Sequence, residues 1–326
     1  MRIAILGAGA WGSALSVSLS SHHSVSLWTR SLADCEALRS HRASRYLPGI
    51  SIPEAVRVEA ELARAIAGCD LVIVATPTGG LRDTVRAVGA IDPAPSLVWA
   101  CKGFETRTEL LPHHVVAQVL PAATRGAALS GPSFALEVAR GQPTAVVLAS
   151  RELSFASEMA AALNSSRLRI YSNADVVGVE LGGALKNVIA IAAGICDGLD
   201  LGRNARAALV TRGLAEISRL GVAMGGNPET FNGLAGLGDL VLTCTGELSR
   251  NREVGVRLAH GKALDAILGE LGHVAEGVLS ARAARAHARA HKIEMPITDA
   301  VCAVLFEGRR APEAVERLLA RDPRAE

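Results

Sequence analysis

Through the first half of the chain, short apolar runs rich in valine and isoleucine alternate with stretches whose apolar side chains recur every three or four residues. This predicts strands joined by helical crossovers, the pattern of a parallel sheet covered on both faces. The runs read as strands are Arg2–Leu6, Val25–Trp28, Val56–Glu59, Leu71–Ala75, Leu97–Ala100, Ala127–Ser130 and Ala145–Ala149. Between the first two, Trp11, Ala14, Leu15, Ser18 and Leu19 fall at helical spacing and are nearly all apolar, so that helix can lie on the sheet. Beyond about Asp175 the strand-like runs fade. Alanine- and leucine-rich helical patterns follow, broken by glycine clusters near Gly225–Gly226 and Gly233–Gly238. The expected architecture is α/β: an N-terminal doubly wound sheet over residues 1–180, then an all-helical domain over residues 181–326, with no low-complexity linker between them.

A length of 326 residues exceeds what one core usually serves, which supports two domains. A formal charge of +2 lacks the basic footprint of a nucleic-acid binder. Six scattered cysteines without a Cys-x-x-Cys pair indicate neither a disulfide framework nor a metal site, and point to a reducing compartment. Met1 runs directly into Gly7, leaving no room for a secretory leader. The longest later apolar stretch, Val188–Cys196, is roughly half of a membrane helix. The expectation is a cytoplasmic enzyme with a small-molecule substrate and no membrane span. Arg282, Arg285, His287, Arg289 and His291 read as a solvated helix face.

The segment Gly7-Ala8-Gly9-Ala10-Trp11-Gly12 matches G-x-G-x-x-G between a predicted strand and a predicted helix, the context in which that motif binds a dinucleotide. The first glycine permits a tight turn, the second lets the backbone approach a pyrophosphate, and the third allows close helix–strand contact. Helix N-terminal N–H groups then face the phosphates. A Rossmann-like fold with bound NAD or NADP follows. The second strand ends in Thr29-Arg30-Ser31 and not in an acidic residue, which suits a ribose 2′-phosphate and favours NADP. Arg30 as a solvated loop cation is the alternative, and nearby Asp34 keeps NAD open.

Hydride transfer to or from an alcohol carbon also needs a proton donor and acceptor, and donors that polarise the carbonyl. Lys186 stands in an almost wholly apolar helical stretch, with Gly182, Gly183, Ala190 and Ala193 on or near its side. A lysine working near neutral pH needs its pKa lowered by burial or by a nearby cation. The competing reading is a side chain that reaches along the helix to water. Lys102 follows a predicted strand end, where doubly wound sheets bind ligands. Ser130-Gly131-Pro132-Ser133 ends another strand, and serves either a polar substrate or a capped helix start. Ser249-Arg250-Asn251 precedes a helical run from Glu253 to His260, as a phosphate cradle or an ordinary serine cap. Asp239, among glycines and apolar residues where an unpaired carboxylate is costly, is a functional candidate, with a structural salt bridge or a turn role as the alternative.

Taken in order, GAGAWG at 7–12, VATPT at 74–78, WACKGFE at 99–105, SGPSFA at 130–135, GVELGGALKNVIAIAAG at 178–194, GLGDLVLTCT at 236–245, SRN at 249–251, VAEG at 274–277 and MPIT at 295–298 resemble the bacterial NAD(P)-dependent glycerol-3-phosphate dehydrogenase family over nearly the whole chain. The resemblance implies interconversion of dihydroxyacetone phosphate and sn-glycerol 3-phosphate for phospholipid synthesis. It implies that Lys186 exchanges the proton and that Lys102 lies between cofactor and substrate, steadying the alkoxide and holding down the pKa of Lys186. It also places Gly131, Ser133, Asp239, Ser249, Arg250 and Asn251 around the substrate. On the cofactor side it implies Gly7, Gly9, Ala10, Trp11, Gly12, Arg30, Lys102, Ala135, Arg250, Val274 and Glu276. Family members commonly carry serine where this chain has Ala10, so a hydroxyl contact is lost there. The rivals are a related 3-hydroxy acid dehydrogenase and a dinucleotide sensor without chemistry. A homodimer is compatible with the helical second domain.

Overall fold

In a computed structural model, which describes residues 1–91, 95–122, 124–271 and 275–321, the chain divides into two compact units, Met1–Val179 and Glu180–Glu326.

The first unit is built on eight strands: β1 (Arg2–Leu6), β2 (Ser24–Trp28), β3 (Arg57–Glu59), β4 (Leu71–Val74), β5 (Ser96–Trp99), β6 (Gly126–Ser130), β7 (Thr144–Ala149) and β8 (Leu168–Asn173). Their spatial order is β3-β2-β1-β4-β5-β6-β7-β8. Chain order reverses between β1 and β4, the switch point beside which doubly wound sheets bind ligands. All four β4 residues are buried, as expected of a strand covered on both faces. Ile3, Ile5, Leu71, Ile73 and Val98 join Leu15, Phe155 and Met159 in one core.

Two features depart from the sequence reading. β7 runs antiparallel to β6, with Leu129 opposite Leu148, so the sheet is mixed. β8 was not anticipated, although Leu168 and Ile170 are buried while Arg169 and Tyr171 are exposed. That alternation is the signature of a half-buried strand, but it covers too few residues to stand out from the surrounding polar sequence.

The second unit is helical. Its central helix, Val176–Gly198, begins just before the unit boundary, so no linker separates the two. At 23 residues it is long and apolar enough to cross a bilayer, more than the Val188–Cys196 estimate allowed, yet 89% of its most apolar window is buried in protein. Glu180, Lys186 and Asn187 interrupt the apolar run in sequence, but all three are buried. The helix crosses Arg250–Ala259 at backbone contact: a Cβ on Gly194 would stand 1.9 Å from the Arg252 carbonyl oxygen. Two helices approach this closely only where side chains are absent.

The MPIT segment has a structural use. Pro296 opens the helix Pro296–Phe306, and the buried Glu216 carboxylate accepts from the N–H groups of Ile297 (2.6 Å) and Thr298 (3.1 Å). Desolvation nevertheless pushes its carboxyl up to about 7.

All three tryptophans (Trp11, Trp28, Trp99) and both tyrosines (Tyr46, Tyr171) belong to the first unit. The Trp28 indole N–H donates to the Ala60 carbonyl at 2.9 Å, so that ring is anchored to the loop after β3.

Candidate active site

The glycine loop leaves the end of β1 and enters the helix Ala10–Leu19. Gly7 has φ +117° and lies against Ala75 at the end of β4, where a Cβ would stand 2.8 Å from the carbonyl oxygen. A Cβ on Gly12 would fall 1.8 Å from the Gly7 carbonyl oxygen, so the helix cannot seat here with any side chain. Around Gly9 there is open space within 4 Å. Gly9 also precedes the first helical turn without any side-chain cap. Open backbone at an uncapped N-terminus is the cradle a pyrophosphate needs, so these residues fit a dinucleotide. Ala10, Trp11 and Ala135 pack against one small cluster of Ala14, Leu47 and Val138. Arg30 is exposed just beyond β2, while Asp34 pairs with Arg45 at 3.2 Å.

Lys102 lies past the end of β5 and donates to the Gly131 carbonyl at 3.0 Å, and Ser133 Oγ donates to the same oxygen at 2.9 Å. The structure thus brings Lys102, Gly131 and Ser133 together at the ends of β5 and β6. Ser133 does not cap the following helix, Ala135–Ala139, whose start has no side-chain cap. The loop carrying Lys102 is tied down by Glu105, which receives Arg82 Nε (2.7 Å) and Nη2 (2.8 Å) as a fork. That pairing, with Thr108, holds the Glu105 carboxyl below the usual range against its desolvation.

In the helical unit, Lys186 is buried and bonded to Asp239, with Thr243 Oγ1 also 2.9 Å from its Nζ. A side chain reaching for bulk water is not what is found. Its charged neighbour here is a carboxylate, where the sequence reading supplied a second cation. Asp239 follows a π-helical turn, Leu234–Gly238, and opens the helix Asp239–Thr245. Thr243 donates to the Asp239 carbonyl oxygen at 2.6 Å, which closes the network. Sequence reasoning assigned Thr243 no role; its signal was the i, i+4 spacing from Asp239.

Asn251 donates to Asn187 Oδ1 and accepts from the Gly277 N–H, both at 3.0 Å, while Asn187 donates to the Gly183 carbonyl. Both ends of the Asn251 amide are therefore engaged within the unit. Asn187 is a second residue not anticipated, marked only by being polar in an apolar helix. Ser249 caps the helix by accepting from the Arg252 N–H at 3.3 Å. Arg250 is its exposed first residue, earlier than the Glu253 start expected. Glu276 opens the helix Glu276–Ala290, and Val274 lies outside the described residues.

Among the described residues no disulfide joins any of the six cysteines. Burial pushes the thiols of Cys69 and Cys302 up to about 11 and that of Cys244 to about 12. A thiolate nucleophile needs the opposite shift.

Residues 2–156 match the family model for the N-terminus of NAD-dependent glycerol-3-phosphate dehydrogenase, and residues 175–316 match that for its C-terminus. Curated glycerol-3-phosphate dehydrogenases (NAD(P)+) of Thiobacillus denitrificans and Dechloromonas aromatica are each 55% identical over this whole chain, covering 100% and 99% of their own lengths. The chain belongs to the NAD-dependent glycerol-3-phosphate dehydrogenase family. A solved glycerol-3-phosphate dehydrogenase from Coxiella burnetii superposes with a TM-score of 0.93 at 40% identity, covering 98% of this chain and 99% of that one.

Proposed function

We propose that this chain is an NAD(P)-dependent glycerol-3-phosphate dehydrogenase. It interconverts dihydroxyacetone phosphate and sn-glycerol 3-phosphate, supplying the latter for phospholipid synthesis in the cytoplasm. The observation that carries this reading is Lys186: a buried ammonium, held by a carboxylate and a hydroxyl, in a chain matched end to end by this family.

When bound, the nicotinamide supplies or accepts the hydride. In reduction, Lys186 Nζ donates a proton to the carbonyl oxygen of dihydroxyacetone phosphate as its central carbon becomes an alcohol. In oxidation Nζ takes the proton back. Asp239 and Thr243 fix where the amine sits, so the geometry exists before substrate arrives. Lys102, anchored on the Gly131 carbonyl, adds positive charge that stabilises the developing alkoxide. The exposed Arg250 offers a guanidinium fork for the substrate phosphate, beside the capped start of its helix. The open backbone at Gly9 takes the pyrophosphate of the cofactor. Arg30, exposed after β2, favours NADP over NAD.

Self-association as a homodimer is part of the proposal, since Val222, Leu237, Val241 and Leu248 leave apolar side chains exposed on the helical unit. Sedimentation tests it.

The deciding experiment is a steady-state assay of dihydroxyacetone phosphate reduction with NADPH and NADH side by side. Turnover with both, and a lower KM for NADPH, is the expected result. Turnover only on small 3-hydroxy acids overturns the substrate assignment. Dinucleotide binding without any turnover points to a sensor.

A further inference from the structure

The helical unit contains a second charged concavity, lined by no residue of the Lys186 network. Arg285 and Arg289 approach it from the helix Glu276–Ala290, Arg317 from the helix Ala311–Leu319, and Arg309 and Arg321 from either end of the latter. The groove has a volume of about 280 Å³, and Ala300 and Ala303 of the helix Pro296–Phe306 form a shallow floor.

Five guanidinium groups line it with two carboxylates, Asp299 and Glu307, and once Arg321 is set against Glu294 a surplus of two positive charges remains, as many as the whole chain carries. Arg285 bonds Glu307 at 2.5 Å, and Arg321 bonds Glu294 at 3.2 Å. Arg289, Arg309 and Arg317 form no ion pair among the described residues. The Glu307 carboxyl is held below its usual range by the Arg285 hydrogen bond and then by the charges of Arg285, Arg309 and Arg289, so three guanidinium groups converge on one carboxylate. Like charges gathered in this way repel one another, and Arg309 is half-buried among them. Guanidinium forks set around a concavity suit phosphate oxygens.

We propose that this groove binds a compact small molecule bearing two or more phosphate groups, whose negative charge offsets the surplus. The arginine-rich face at residues 282–291 is then one wall of a ligand site and not merely a solvated surface.

The test titrates tripolyphosphate into the full-length protein by calorimetry, with NADPH and sn-glycerol 3-phosphate saturating so that other phosphate-binding positions are filled. One equivalent should bind, with affinity falling as salt rises. The variant Arg289→Ala/Arg309→Ala/Arg317→Ala should bind at least about tenfold more weakly, with kcat and KM unchanged. Arg309→Gln alone provides a milder second variant, with a loss of about fivefold. Wild-type-like binding by both variants overturns the proposal, as does no binding by the wild type. Association only with vesicles of phosphatidylglycerol would show a membrane-facing patch and likewise overturn it.

Discussion

The loop at residues 7–12 works through the side chains it lacks, whereas the network around Lys186 works through the side chains it holds. At Gly12 the backbone of one element occupies the place a methyl group would need, and at Gly9 the space is left open. Lys186 is buried against a fully buried Asp239, and nearby Asp197 is paired with Arg206 (2.9 Å) and Arg252 (2.6 Å) inside the same unit. A loop of the first kind is broken by adding atoms. A buried ion-pair network of the second kind is broken by changing charge. The difference separates what each unit tolerates, and substitutions can test it.

The largest effect is expected at Lys186. Lys186→Ala should lower kcat by about 10³–10⁴-fold while leaving dinucleotide binding near normal, read by steady-state assay and NADPH titration. It also leaves the Asp239 charge buried without its lysine, which is strongly destabilising. Lys186→Ala/Asp239→Asn should therefore recover Tm but not turnover. Recovered turnover would move the chemistry away from this amine.

Gly12→Ala should weaken dinucleotide affinity about ten- to hundredfold, the result of about 1–3 kcal/mol of overpacking. Gly9→Ala should leave Tm unchanged, because its neighbourhood is empty, and weaken only cofactor binding. Equal Tm losses in both would remove the distinction between a packing glycine and an approach glycine.

Glu216 extends the comparison to stability. Its folded carboxyl is raised from 4.5 to about 7, so as pH rises the unfolded chain gives up that proton first. The contribution is fully present below about 4.5 and is lost on the way to about 7, amounting to about 3 kcal/mol at most. Melting Glu216→Gln and wild type from pH 4.5 to 7 should show a shallower decline for the variant. Parallel curves would mean that the three donors facing the carboxylate hold it ionised throughout.

The smallest effect is at Arg30. Arg30→Ala should raise the KM for NADPH about tenfold, the worth of one charge-assisted contact, and leave that for NADH unchanged. Equal changes for both cofactors would assign Arg30 to the solvated loop.

What was legible in the sequence was what local context specifies. The turn at Gly7 and the helix behind it are neighbours in the chain, so the strand–glycine–helix pattern exposes them at once. The central strands, β4 above all, were visible because burial on both faces demands continuous apolar runs. The half-buried edge strand β8 and the reversal of β7 were not, since strand direction depends on the path of the connection. Lys186 could be singled out as a charge in an apolar helix, but its counter-ion is 53 residues away, and nothing local joins the two. The partners that give Thr243 and Asn187 their places, Lys186 and Asn251, lie 57 and 64 residues away, and the fork from Arg82 to Glu105 is formed across 23.

The placement of the aromatic residues has a practical outcome. With every indole and phenol before residue 180, tryptophan and tyrosine absorbance and emission belong to that half of the chain alone. A melt followed by tryptophan or tyrosine is silent about the second unit, and a scattering or far-ultraviolet signal must be recorded beside it. The same asymmetry makes Trp11, next to the glycine loop, a built-in energy donor for a reduced nicotinamide, so quenching of its emission gives a label-free titration of cofactor.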